Sequence, residues 1–143
     1  MRKGADEDLD FPNNGDIPPL VPDGDYDFSY SGFDKKALWA GEERLFLFFQ
    51  IQTPGPFFGD ELYMACTVPR KGKWRPSMKY WLNWVLAHGK RPTRNDRLPV
   101  SVFRNKIFRG RVRTVLRTSK KGIVRTREQQ YSVIDELLAV LVG

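Results

Sequence analysis

The 143-residue sequence has one cysteine, one histidine and no apolar run long enough to span a membrane. A single cysteine, Cys66, excludes an intrachain disulfide, and a cytoplasmic setting is the simplest expectation. The longest apolar candidate, "LFLFFQI" at Leu45–Ile51, is only as long as a strand, so no membrane association is expected. The opening "MRKGADEDLD" lacks the apolar stretch of a secretory signal. His88 and Cys66 form no set with metal-ligand spacing, and a lone histidine near a helix end is expected to pack or cap. No phosphate-loop glycine pattern, dinucleotide fingerprint or nucleophile elbow occurs. From these absences we expect no enzyme activity, no cofactor, no metal and no catalytic residue.

Negative charge is missing as well, but only from one part of the chain. No acidic residue occurs between Asp96 and Glu128. Residues 1–61 hold five basic and thirteen acidic residues, a net of −8. Residues 62–143 hold nineteen basic and four acidic ones, a net of +15. A basic surface of that size predicts a polyanionic partner, and nucleic acid is the commonest. Apolar content of 41% and aromatic content of 13% are those of a globular domain.

The chain divides at residue 22. Residues 1–22 are acidic and rich in Pro and Gly, and they read as a flexible tail. Asp6, Glu7, Asp8 and Asp10 surround Leu9 and Phe11, so this tail could also dock on a protein partner or compete for the basic surface. Residues 23–143 read as one domain. "DYDFSYSGF" alternates, with Tyr26, Phe28 and Tyr30 opposite Asp25, Asp27 and Ser29, as a half-buried strand does. "RLFLFFQIQT" and "DELYMACTV" read as the second and third strands, with "PGPFFG" as the turn between them. "SMKYWLNWVLAHG" places Trp81, Trp84, Val85 and His88 on one helix face, with Ser77 as N-cap and Gly89 as stop. "NKIFRGRVRTVLRT" reads as a fourth strand, "SKKG" as a turn and "GIVRTREQ" as a fifth strand. "YSVIDELLAVLVG" reads as a short C-terminal helix, or a last strand and helix. The expected fold is mainly β: a single OB-like five-stranded barrel with a helix between strands 3 and 4 and a short C-terminal helix.

The fourth strand carries the strongest pattern. Arg109, Arg111 and Arg113 share one parity and Phe108, Val112 and Leu116 the other, so the arginines project together from one face. Guanidinium groups fork onto phosphate oxygens and stack on bases. Arg104, Lys106, Arg117 and Arg125 extend the row, and Lys120 and Lys121 crown its turn. The loop "PRKGKWRP" adds Lys71, Lys73 and Arg75 around Trp74, which is a stacking candidate or a loop-packing residue. Phe46 and Phe48 take the outer parity of the second strand. Burial on both faces is the favoured reading for them, and base stacking the second. Asp23, Asp25 and Asp27 share one parity, and with Glu42, Glu43, Asp60 and Glu61 they leave a small metal-dependent nuclease as the enzymatic alternative. An RNA-binding or adaptor protein with a basic surface is the other. Exposed strand edges leave room for a homo-oligomer.

From Gly24 to Thr114 the chain resembles the small OB-fold single-stranded-DNA-binding proteins of phage and mobile-element replication modules. The resemblance rests on "GDYDFSYSGF", "LFLFFQIQTPGPFFGDEL" and "NKIFRGRV". The last stretch is similar to a GKxFxGxV pattern, with Asn105 where glycine is usual. It implies sequence-tolerant binding of single-stranded nucleic acid, DNA before RNA, in replication or recombination, and it transfers no catalytic residue. The acidic tail here is N-terminal, whereas many bacterial single-strand binders carry theirs at the C-terminus.

Overall fold

Alternation of inward aromatics and outward acids builds the first strand, and the rest of the sheet assembles around it. The computed structural model of the chain describes Pro12, residues 18–116, Val124 and residues 126–143. The described strands are β1 (Gly24–Ala37), β2 (Glu43–Ile51), β3 (Glu61–Val68), β4 (Ile107–Val115) and β5 (Tyr131–Val142). One α-helix, α1 (Lys79–His88), stands between β3 and β4 in the chain. All neighbours pair antiparallel, in the order β3-β2-β1-β4-β5. β1 is the axis of this sheet. Gly24 to Ser29 pair β4, and Phe28 to Ala37 pair β2 with a bulge between Tyr30 and Gly32, so Phe28 and Ser29 are bonded on both sides.

The inward parities fill one core. Leu45, Leu47, Phe49 and Ile51 from β2 meet Leu62, Met64 and Cys66 from β3 and Phe108 and Val112 from β4. Phe49 is its centre, with ring centroids 6.3 Å from Phe28, 6.1 Å from Phe103 and 6.1 Å from Phe108. Each such aromatic pair contributes about 0.5–1.5 kcal/mol beyond area burial. Gly110 lies where β4 crosses the Phe28 ring. A Cβ there would come within 3.0 Å of Phe28 Cδ2, so only glycine fits without displacement.

Helix α1 covers the core with Tyr80, Trp81, Trp84 and Ala87. Three polar anchors fix it. Tyr80 Oη donates to the Leu98 carbonyl at 2.7 Å, Trp84 Nε1 donates to the Pro99 carbonyl at 3.1 Å, and the Leu137 amide of β5 donates to Asn83 Oδ1 at 2.8 Å. Gly89 ends the helix in the left-handed region at φ 92°, its amide donating to the Val85 carbonyl. The N-cap is Met78, not Ser77, and no side chain caps that end.

A second, smaller core occupies the outer face. Phe46, Tyr63, Tyr131 and Val133 are buried there, and the Tyr63 and Tyr131 rings lie 6.4 Å apart. The sheet curls until edge strands β3 and β5 touch through side chains. No hydrogen-bonded ladder joins them among the described residues, so the expected barrel is a curved open sheet. The segment before β1 helps cover β5. Val21 is 1% exposed, its amide donates to Ser132 Oγ at 2.7 Å, and that hydroxyl donates back to the Val21 carbonyl at 2.9 Å. Residues 18–22, which the sequence assigns to the tail, therefore pack on the domain.

The C-terminal stretch is the clearest correction. Residues expected to form a short helix make the twelve-residue strand β5. Its register against β4 skips Asp135, Leu138 and Leu141, so a bulge occurs every third residue. Each bulge flips the parity of the residues beyond it. Ile134 and Leu137 thus both face the core at a spacing of three, which reads as a helix in the sequence. The fifth strand expected over residues 122–129 lies partly outside the described residues. Its described part ends in a 3-10 turn at Arg127–Gln129. Leu116 lies past the end of β4 and is exposed, not inward.

Candidate nucleic-acid interface

The arginine row of β4 does project from one face, but other strands answer it with carboxylates. Register places Asp27 opposite Arg109 and Asp25 opposite Arg111 on β1, with Glu136 opposite Arg111 on β5. Arg109 Nε donates to Asp27 Oδ1 at 3.0 Å, Arg111 Nη1 to Glu136 Oε2 at 3.0 Å and Arg113 Nε to Asp135 Oδ1 at 2.9 Å. Asp25 Oδ1 is a further 3.8 Å contact of Arg111. Asp135 reaches Arg113 from a bulge position, so the irregularity of β5 completes the ladder. Three guanidiniums face four carboxylates, a net of −1. All these groups are half-exposed, and such pairs contribute about 0–1 kcal/mol each. The stripe is an ion-pair ladder with little net field.

The other expected contacts scatter. Lys106 Nζ donates to the Ala87 carbonyl at 2.6 Å and so caps the last turn of α1. Arg104 is exposed just after the 3-10 turn at Val100–Phe103. Arg117, Lys120, Lys121 and Arg125 lie outside the described residues. Phe46 is fully buried, its ring 5.1 Å from that of Tyr63, and Phe48 packs beside the same ring at 6.4 Å.

The loop between β3 and α1 behaves differently. Lys71, Lys73 and Arg75 are exposed, and none has a carboxylate within 4.0 Å among the described residues. Trp74 between them is half-buried. Its amide donates to the Asn95 carbonyl at 2.7 Å and its ring lies 4.6 Å from that of Tyr80, tilted by 43°. Trp74 thus roots the loop in the core and lets the flanking cations point outward. The loop closes a cleft of about 520 Å³ with the end of β3 and the turn after β1. Arg70, Lys71, Lys73, Arg75 and Glu42 line it, with Glu42 bound to Arg70 at 3.0 Å. Four cations against one carboxylate leave a net of +3.

The same turn holds a residue that sequence reasoning missed. Trp39 is 77% exposed, three positions before Glu42. The next residue, Ala40, is held at φ 64° and ψ 31°, a left-handed conformation that non-glycine residues seldom adopt, and the Leu38 amide closes the turn onto the Glu42 carbonyl. The signal was present in "LWAGEE": a tryptophan against turn residues has no strand or helix face in which to bury itself.

The remaining reactive groups pack or pair within the fold. His88 stacks on Trp84 at 4.4 Å and its Nδ1 lies 3.1 Å from the Lys90 carbonyl, the packing role expected for it. Burial pushes the Cys66 thiol up to about 12 and lowers Lys79 from its ordinary value. The fold therefore favours the protonated thiol. That contribution is complete below pH 9 and lost as pH rises toward 12. Asp23 accepts a hydrogen bond from Thr114 Oγ1 at 2.7 Å, while Asp25 and Asp27 face arginines. Among the described residues no three His, Cys, Asp or Glu side chains could hold a metal, and no helix is long and apolar enough to cross a membrane. Neither a protein-family model, nor a curated protein, nor a solved structure matches the chain.

Proposed function

We propose that the chain binds single-stranded nucleic acid, DNA before RNA, with little sequence preference. The observation that carries this reading is the cleft of net +3 whose three cations unpaired among the described residues, Lys71, Lys73 and Arg75, stand beside the turn that holds Trp39. Cations without carboxylate partners attract phosphates and release counterions, while an exposed indole offers a face on which any base can stack. Single-strand binders combine those two elements. The connectivity supports an OB-like scaffold, since β1 pairs both β2 and β4, with a helix between β3 and β4 in the chain. The β4 arginines take a lesser part, because a phosphate must first displace Asp25, Asp27, Asp135 or Glu136. By its resemblance the protein would serve replication or recombination of phage or mobile DNA.

The test is tryptophan fluorescence during titration with unlabelled oligo-dT at several salt concentrations, with duplex DNA as competitor and oligo-rU in parallel. Quenching that favours the single strand and weakens steeply with salt is expected. Trp39→Phe should keep most of the binding and lose most of the quenching. No binding at low salt would overturn the proposal.

A further inference from the structure

We infer that the cleft between the β3–α1 loop and the β1–β2 turn seats a nucleotide bearing a terminal phosphate, an inference that rests on the nucleic-acid reading above. Its volume of about 520 Å³ falls within the range of pockets that enclose one small ligand. The charge points the same way. A phosphate monoester carries about −1.5 to −2 at neutral pH, against −1 for a diester within a strand. A net of +3 therefore favours the monoester over any internal phosphate.

The walls divide the work. Lys71, Lys73 and Arg75 supply donors with no carboxylate within 4.0 Å among the described residues, and Arg75 can hold two phosphate oxygens at once. Val68, Pro69 and Met78 form an apolar wall against which a base or sugar can lie. Glu42, the one carboxylate among the lining residues, is paired with Arg70 at 3.0 Å. The same chemistry could come from the end of a strand or from a free nucleotide.

The full-length protein should be titrated with dT10 carrying a 5′-phosphate, a 3′-phosphate or neither, and separately with dTMP and dTDP as competitors. At least one phosphorylated dT10 should bind roughly tenfold tighter than the unphosphorylated one, the worth of one added charge-assisted hydrogen bond. Lys73→Ala should weaken phosphorylated dT10 more than unphosphorylated dT10 and so abolish that preference. Competition by dTDP identifies a free nucleotide as a source, and its absence alongside the preference identifies the strand end. Equal binding of all three dT10 forms with no nucleotide competition overturns this inference and leaves the single-strand reading standing. Binding of dTDP without any dT10 overturns the single-strand reading and leaves a nucleotide cleft.

Discussion

Arg109, Arg111 and Arg113 on β4 and Lys71, Lys73 and Arg75 in the β3–α1 loop bring the same three positive charges to the surface. On β4 each charge has a carboxylate within 3.0 Å, and Arg109 finds Asp27 from 82 residues away. In the loop none does among the described residues. The difference is one of register. A central strand has neighbours on both sides whose side chains stand at fixed positions opposite its own, so an acid in either neighbour is delivered to the arginine. A loop has no such neighbours, and its charges meet whatever lies within reach. A run of cations therefore overstates the surface potential when it falls on an interior strand. It is a better guide when it falls in a loop.

The largest effect should come from the layer beneath the ladder. Phe108 precedes Arg109, is fully buried and touches both Phe49 and Phe103. Phe108→Ala should lower stability by about 3–5 kcal/mol, read from denaturant midpoints at constant m-value. A loss below about 1 kcal/mol would mean that the ladder, and not the core, holds β4, because exposed ion pairs contribute no more than that.

Reversing the loop charges should be the largest effect on binding. The triple change Lys71→Glu, Lys73→Glu, Arg75→Glu should leave the fold intact, since all three side chains are exposed. The slope of log affinity for oligo-dT against log salt should fall by about 2, from three phosphate contacts at about 0.7 each. An unchanged slope would move the interface away from this loop. Trp39→Ala should cost about 1–3 kcal/mol of binding free energy at fixed salt, the value of one stacked base. Thermal melting of the free protein should barely move, because Trp39 is 77% exposed.

Legibility in the sequence divides along the same line. The first four strands, the helix and its glycine stop could be read because a period of two runs through β2, β3, β4 and the part of β1 before its bulge, and a period of 3.6 through α1. β5 could not, because three bulges broke its period of two into steps of three. The loop cations were legible as a cluster around Trp74. Trp74 itself proved to be an anchor on Tyr80, and the exposed indole is Trp39. That the β4 arginines are neutralised was not legible. It depends on Asp25, Asp27, Asp135 and Glu136, which only the strand order brings alongside them.

The sharpest form of the comparison is to make the ladder behave like the loop. Arg111→Ala alone should cost less than about 1 kcal/mol of stability and leave oligo-dT affinity unchanged, since Arg111 is engaged by Glu136 at 3.0 Å and approached by Asp25 at 3.8 Å. Removing those two carboxylates tests the reason. In the double variant Asp25→Asn, Glu136→Gln the arginine keeps its place on the sheet but loses its partners, and the ladder changes from a net of −1 to +1. If partnering is what silences the β4 row, this variant should bind oligo-dT more tightly than the parent, with a salt slope steeper by about 0.7, one new phosphate contact. If Arg111→Ala already weakens binding and the double variant does not strengthen it, phosphates displace the carboxylates on their own. The row would then belong to the interface in spite of its ion pairs.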